Sequence, residues 1–320
     1  MSTRVRWIGS IAAIVVLGFA AGGENTASAQ SRNVEIRTSH GNRTEIRWTE
    51  GGRTTWIRSE GNVEFTDDDR DVRRISPGGR LSIEERGWGS TDRRMEYVGL
   101  ANGAVQRTYL ENGRAATLDG QAQSWVNQMI LNLVREHAVG AEPRARRILA
   151  RGGVSAMLSE IEQIRSSSAK RIYYNVLLEQ SRLGAGDLTR VLSSIGRDIP
   201  SSSDKARLLQ TVAGLANLSG SVGRAFFEAA GTIPSSSERR RVLSAVLRQP
   251  NVSKPTVLAV LRAVEGIPSD SEKTAVLLEV PDAQLRDTQI ASAYVATLQS
   301  IRSDSNYRRA ASRVMQQRTR

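Results

Sequence analysis

The 320-residue chain contains no cysteine. This absence excludes a disulfide framework, a thiol nucleophile, a thiolate metal site and a lipid attached to cysteine. Histidine occurs only twice, at His40 and His137, so histidines alone cannot complete a three-ligand zinc site. The sequence also lacks a glycine-rich phosphate loop, a Gly-x-Ser-x-Gly elbow and a His-Glu-x-x-His motif. We therefore predict no catalytic, cofactor-binding or metal-binding residues and no enzyme activity.

Lysine is scarce: only four of the 45 basic residues are lysine, and the others are arginine. The formal net charge is +12. Arginine suits bidentate recognition of carboxylate or phosphate, so an anionic partner is one interpretation. The alternative is a GC-rich genome and a solvated surface. The arginines are interleaved with Glu and Asp, and this pattern favours the alternative.

Only one long apolar run occurs, and it lies near the N-terminus. Ile8 to Ala21 follow Arg4 and Arg6, and the small residues Ala27-Ser28-Ala29 precede Gln30. This pattern predicts a cleaved signal peptide over residues 1–29. The run of 14 residues is shorter than the roughly 20 that a membrane span prefers, although a retained anchor is an alternative. We expect an exported protein, periplasmic or secreted, with no transmembrane span after cleavage.

Residues 31–118 show the alternation of a half-buried antiparallel sheet. Apolar pairs are separated by one polar residue at Val34/Ile36, Ile46/Trp48, Val63/Phe65, Leu81/Ile83 and Met95/Tyr97. Turn pairs such as Gly51-Gly52 and Asn112-Gly113 separate the runs. The pattern predicts hairpins in sequence order, with one face on a core and an ionic outer face that carries cross-strand ion pairs.

A helix is predicted between the sheet and the C-terminal half. Asp119 can cap it, Gly140 can end it, and Trp125, Met129, Leu133 and Val134 form an apolar stripe at helical spacing. We interpret residues 119–141 as a linking helix that lies against the sheet.

A repeat of about 34 residues dominates the C-terminal half. Signature isoleucines at Ile164, Ile199, Ile233, Ile267 and Ile301 follow one another at steps of 35, 34, 34 and 34 residues. The positions seven and three residues before them are mostly apolar, as at Phe226/Ala230 and Val260/Val264. A serine stands two residues after each of these isoleucines and predicts the cap of a second helix. Those expected to cap are Ser201, Ser235, Ser269 and Ser303.

Residues 142–320 are therefore predicted to form a HEAT- or tetratricopeptide-like α-hairpin solenoid with a period of 34 residues. Each unit would be two short antiparallel helices. The tryptophan, glycine and tyrosine positions of the tetratricopeptide signature are missing, so the length of the repeat does not assign it to that family. The complete fold prediction is α+β with two domains.

The segment Asp67-Asp68-Asp69-Arg70-Asp71, which leads to Ser76-Pro77-Gly78-Gly79-Arg80-Leu81, precedes the Ile-x-Ser-x-Ser repeat. This combination resembles an uncharacterised family of exported bacterial proteins. Similar regions follow the membrane part of some bacterial sensor metallopeptidases of the antirepressor type. The resemblance implies a signalling or envelope context and transfers no functional residues.

The sequence contains four features that are candidates for chemistry. Ser167-x-x-Lys170 and Ser202-x-x-Lys205 match the Ser-x-x-Lys of penicillin-recognising acyl-enzymes, but their place in the repeat favours helix capping. The acidic run at 67–71 could bind Ca²⁺, although a solvated turn that pairs with Arg73 and Arg74 is favoured. His40 lies beside a turn and His137 at a helix end, and we assign no catalysis to either. The aromatic residues of the sheet are favoured as packing residues over sugar- or peptide-stacking residues, and they are Trp48, Trp56, Trp88, Tyr97 and Tyr109.

The leading functional prediction is a non-catalytic, exported interaction module that binds a protein partner. The alternative is electrostatic binding of an anionic envelope polymer or lipid head group. Nucleic acid is disfavoured because the signal peptide directs the chain away from it. A third hypothesis is an enzyme of unrecognised type in the β domain, using Asp67, Asp68 or His40.

Overall fold

The computed structural model describes residues 33–39, 43–87, 89, 91–180 and 183–318. It confirms the predicted α+β class, with an antiparallel β domain followed by a helical repeat. The chain divides into two compact units between Gly140 and Ala141. The predicted signal peptide, His40 and Trp88 lie outside the described residues.

The first unit contains two antiparallel sheets. The described strands are β1 (Asn33–Ser39), β2 (Arg43–Glu50), β3 (Arg53–Glu60), β4 (Val63–Phe65), β5 (Val72–Ile75), β6 (Arg80–Gly87), β7 (Arg93–Gly99), β8 (Val105–Glu111) and β9 (Arg114–Ala115). Seven of them form one sheet in the order β1-β2-β3-β6-β7-β8-β9, and β4 pairs with β5 in a second sheet.

The prediction of hairpins in sequence order is wrong at one place. Strand β3 pairs with β6, and the β4–β5 hairpin leaves the large sheet. Phe65, Val72 and Ile75 of this hairpin are buried in the same core as the sheet, and β5 contacts β7 and β8. The hairpin therefore covers a face of the sheet instead of extending it, and its apolar residues are removed from water there.

The apolar residues that alternate along the strands lie on the buried face of the sheet, as predicted. Ile46, Trp48, Leu81, Ile83, Met95 and Tyr97 are all buried. The helix α1 (Gly120–Glu136) completes this core with Trp125, Val126, Ile130, Leu133 and Val134, while Met129 is only partly buried. Its first turn is capped by Asp119, whose carboxylate accepts from the amide of Ala122 at 2.8 Å.

The second unit consists of helices. Those described are α2 (Ala141–Gln163), α3 (Ser167–Gln180), α4 (Ala185–Asp198), α5 (Ser202–Leu215), α6 (Gly220–Gly231), α7 (Ser236–Leu247), α8 (Lys254–Glu265), α9 (Asp270–Leu277), α10 (Asp282–Leu285), α11 (Thr288–Leu298) and α12 (Asp304–Arg318). The helices before the signature isoleucines pack in one row, α2-α4-α6-α8-α11. Those after them pack in a second row, α3-α5-α7-α9-α12. The long α2 bends at Gly153, whose φ of 61° is accessible to glycine.

Each signature isoleucine lies in the turn between a helix of the first row and a helix of the second, and all five are buried. Ser201, Ser235 and Ser269 cap α5, α7 and α9 by accepting from the amide three residues later. At Ser303 the hydroxyl accepts from the side-chain amide of Asn306. Among the described residues, none of the helices combines the length and apolar character that a membrane span requires.

Candidate functional site: a groove in the helical repeat

The lysines of the two Ser-x-x-Lys segments bind helix ends. The ammonium nitrogen of Lys170 donates to the carbonyl oxygen of Asp198 at 3.1 Å. That of Lys205 donates to the carbonyl of Gly196 at 2.8 Å and to the hydroxyl of Thr232 at 2.7 Å. The capping serines are the residues one position before the motif, Ser166 and Ser201. These contacts give the lysines a structural role.

The same position of the repeat holds a cation in four successive units, buried where it is lysine and half-buried at Arg239. Arg239 and Lys273 stand, like Lys170 and Lys205, six residues after a signature isoleucine. Arg239 donates to the carbonyls of Gly231 and Ile233, and Lys273 donates to that of Ser300 at 2.6 Å. A positive charge is favoured at helix C-termini, where carbonyl oxygens lack intrahelical partners. Burial lowers the pKa of Lys205 and that of Arg239.

The acidic run folds into a turn with internal partners. Asp67 pairs with Arg73 at 2.6 Å, as predicted, whereas Arg74 pairs with Glu64. Asp71 pairs with Arg107 at 2.9 Å. The carboxylate of Asp68 accepts from the hydroxyl of Thr66 at 2.6 Å, and this bond holds the pKa of Asp68 below its usual value. No group of three or more potential metal ligands occurs within the described residues.

Most of the described aromatic residues predicted for the sheet are buried packing residues. Trp48, Tyr97 and Tyr109 are buried, and the ring of His137 stacks on Trp48 with centroids 4.8 Å apart. Trp56 is partly buried on the outer face of the sheet. The guanidinium carbons of Arg47 and Arg86 lie 5.3 and 5.8 Å from its ring centroid. The arginines already cover this ring, which leaves it poorly placed to stack on a ligand.

The outer face of the large sheet carries the predicted cross-strand ion pairs. Glu84 on β6 is central, with 7% of its side chain exposed. Its carboxylate pairs with Arg86 and lies 3.3 Å from Arg94 of β7 and 3.9 Å from Arg58 of β3. Much of the positive charge on this face is therefore neutralised by neighbouring carboxylates.

An open groove of about 680 Å³ separates α6 from α8 in the first row of the repeat. Leu218, Phe227, Ala259 and Ala263 line it with apolar surface, and Pro255 lies at the start of α8. Phe227 is half-buried and meets the buried Phe226 edge to face, with ring centroids 5.3 Å apart. The groove thus offers a partly exposed aromatic ring beside small aliphatic side chains.

A glycine near the start of α6 shapes one end of the groove. Helix α6 packs closely against α4 and makes few contacts with α8. Gly223 stands ten residues before the signature isoleucine, where Thr189 and Val257 stand in the neighbouring units. A Cβ at Gly223 would lie 2.5 Å from the carbonyl oxygen of Leu218, so the loop can approach the helix only because this residue is glycine.

Exposed charged residues line the groove. Arg224 and Glu228 on α6 and Arg262 on α8 are exposed and line it. Within the part of the chain that the structure describes, none of these three side chains forms an ion pair, in contrast to arginines such as Arg171, Arg240 and Arg248. Two cations and one anion therefore face solvent beside apolar surface.

Sequence reasoning missed this groove. The repeat predicted a long binding surface but did not distinguish one interval between units from another. A usable signal was present, because Gly223 replaces the larger residues found at this position in the adjacent units. The few contacts between α6 and α8 are a feature of tertiary packing, which the signature positions do not encode.

Comparisons of the chain with protein-family models, curated proteins and solved structures find no match. The fold and the groove define an architectural class, a two-domain α+β protein with a helical repeat.

Proposed function

We propose that the protein is a non-catalytic interaction module that binds a segment of a protein partner in the groove between α6 and α8. The observation that carries this proposal is the apolar groove bordered by Arg224 and Arg262, which form no ion pair with any described residue. Exposed apolar surface rimmed by polar residues is typical of protein interaction sites. Helical repeats also tend to bind along one face of the stack.

The partners of the candidate catalytic residues support a non-catalytic role. Lys170 and Lys205 bind helix ends, and Asp67 and Asp71 pair with arginines. A general base or nucleophile would need a reacting group within hydrogen-bond reach, with a cleft around it. The groove contains no such arrangement among its described lining residues, which contribute one carboxylate, Glu228.

The proposal includes an extracytoplasmic setting. The basic residues, apolar run and small-residue cleavage site at the N-terminus are typical of exported proteins. The resemblance to an exported bacterial family agrees with this setting. We therefore propose that the partner belongs to the bacterial envelope or contributes to envelope signalling.

The proposed function is tested by capturing a partner from envelope extract. The test compares the native protein with a variant in which the groove is filled. Ala259→Trp should fill the groove and abolish recovery of the partner while the helical circular dichroism is retained. Ala296→Trp is the matched control, because Ala296 is exposed on α11 away from the groove lining. Equal recovery by the native protein and Ala259→Trp would exclude the groove as the binding surface.

Ionic strength separates this function from binding to an anionic polymer or lipid head group. Binding that is driven by phosphate or other anions weakens steeply as salt increases, because bound counterions are released. An interface with an apolar centre should retain the partner at high salt. Salt-sensitive retention on an anionic matrix that is unaffected by Ala259→Trp would favour the electrostatic alternative.

A further inference from the structure

We infer that the segment held in the groove is a short amphipathic helix, with an apolar stripe flanked by carboxylates. This inference rests on the proposed function and specifies the chemistry of its partner. It follows from three properties of the groove: the backbone hydrogen bonding of its walls, the length of the helices that form them and the charges on its rim.

Backbone hydrogen bonding favours a helix over an extended segment. The walls are α-helices, whose amide and carbonyl groups are largely used within the helices themselves. At the end of the groove, the amide of Gly223 donates to the carbonyl of Ser219, and the carbonyl of Leu218 accepts from the hydroxyl of Thr256. An extended peptide would place unpaired backbone groups on the apolar floor. A helix satisfies its own backbone and presents only side chains.

The walls set the length of the segment. Helices α6 and α8 contain 12 residues each. At 1.5 Å per residue, each wall is about 18 Å long. A partner helix of about three turns would match this length and would place apolar residues at i, i+3, i+4 and i+7 against Phe227, Ala259 and Ala263.

The rim charges select carboxylates on the partner. Arg224 lies on one wall and Arg262 on the other, so an apolar stripe in the groove would have a cation on each side. Carboxylates flanking the stripe could pair with both. Glu228 adds one negative charge, which leaves the described rim net positive. The N-terminal Arg4 and Arg6 and the C-terminal Arg318 and Arg320 are basic, so charge disfavours either end of this chain as the occupant.

Designed peptides test the inference with the full chain. The probe is a fluorescein-labelled amphipathic helix of about three turns with a leucine stripe flanked by glutamates. Its control carries glutamines in place of the glutamates. Fluorescence anisotropy should show that the glutamate peptide binds about tenfold more tightly than the glutamine peptide, as expected for two favourable charge pairs at the rim of an interface.

Variants of the protein assign this preference to the groove. Arg224→Gln combined with Arg262→Gln should remove the difference between the two peptides. Arg207→Gln combined with Arg309→Gln should preserve it, because these exposed arginines lie on α5 and α12. Arg262→Glu should shift the preference towards a peptide with lysines on that flank. A preference that persists unchanged in the Arg224/Arg262 double variant would overturn the inference.

A proline-containing peptide tests the helical conformation. Two prolines inside the segment prevent a helix without removing the leucines or glutamates. This peptide should bind at least tenfold more weakly than the helical probe, and equal binding would exclude the helical occupant. Failure of the native protein to bind the glutamate peptide would also overturn the inference. If Ala259→Trp still abolished partner capture in that case, the proposed function would stand with a different occupant.

Discussion

At the residue scale, Ser235 shows how the repeat starts its second helices. Its hydroxyl oxygen accepts from the amide of Glu238 at 3.4 Å. We expect Ser235→Ala to lower the free energy of unfolding by about 0.5–2 kcal/mol, because that amide loses its cap. Ser236→Ala, at the first helical position, is the control and should change it by less than about 0.5 kcal/mol. Urea titration measures both variants.

A different outcome at Ser235 would change its assigned role. If Ser235→Ala abolished partner binding and left the unfolding transition where it was, the serine would be a binding contact and not a cap.

The buried cation of the repeat gives a second prediction at this scale. Lys205→Met leaves the carbonyl of Gly196 and the hydroxyl of Thr232 without their ammonium donor. We expect a loss of about 1–3 kcal/mol in the free energy of unfolding. Lys205→Arg should cost less, because Arg239 occupies the equivalent position of the next unit. Equal stability of Lys205→Met and the native protein in chemical denaturation would show that the cation is dispensable.

Tyr294 makes stability depend on alkaline pH. Burial raises the pKa of Tyr294 to about 12, and its hydroxyl donates to the carbonyl of Ala310 at 3.1 Å. Above pH 10, which is the ordinary pKa of tyrosine, the unfolded chain releases this proton while the folded chain keeps it. The stability that protonated Tyr294 contributes to the folded state is therefore fully present below about pH 10. It is lost as pH rises towards 12, by about 1.4 kcal/mol per pH unit.

The matched measurement compares the native protein with Tyr294→Phe in denaturant titrations from about pH 8 to pH 11. The phenylalanine variant should be less stable at the lower pH, because it lacks the hydrogen bond, and should lose less stability as pH rises. Other buried tyrosines with raised pKa values, such as Tyr109, contribute to both proteins and cancel in the comparison. Identical slopes would contradict the assignment.

At the scale of the element, the signature isoleucines hold adjacent helices together. Ile233 is fully buried in the turn between α6 and α7. Ile233→Ala should cost about 2–5 kcal/mol by opening a cavity. Because each unit packs on its neighbours, hydrogen exchange should accelerate in the units on both sides and remain unchanged in the sheet. Val295→Ala on α11 is the control, because Val295 is 40% exposed.

The prediction about Ile233 would be contradicted in either of two ways. The stability cost could be no greater than that of Val295→Ala, or the faster exchange could be confined to α6 and α7.

Elements with a regular pattern were predictable, and those without one were not. Alternation identified the buried face of β2, β6 and β7, and the capped stripe identified α1. Strand β5, Val72–Ile75, was missed because it does not alternate: its first and last residues are buried, and the two between them are exposed arginines. The pairing of β3 with β6 was missed for a different reason: a local pattern does not specify which strands meet.

At the scale of the whole molecule, the two units have separate cores. The division lies between Gly140 and Ala141, and α1 contributes its buried residues to the core of the sheet. We expect residues 31–140 and residues 141–320 to fold when they are expressed separately. Circular dichroism should show dominant helix in the second segment and mainly strand signal with one helix in the first. A second segment without dominant helix would refute the repeat.

The sequence alone determined the features that depend on residues close together in the chain. The 34-residue spacing of the isoleucines, the capping serines and the strand alternation are local, because a helix or strand displays its buried face at a fixed period. Tertiary structure decided the position of the β4–β5 hairpin, the carbonyl partners of Lys205 and the opening between α6 and α8. Each of these depends on how distant segments pack, and packing is set by the summed burial and hydrogen bonding of many residues rather than by any one motif.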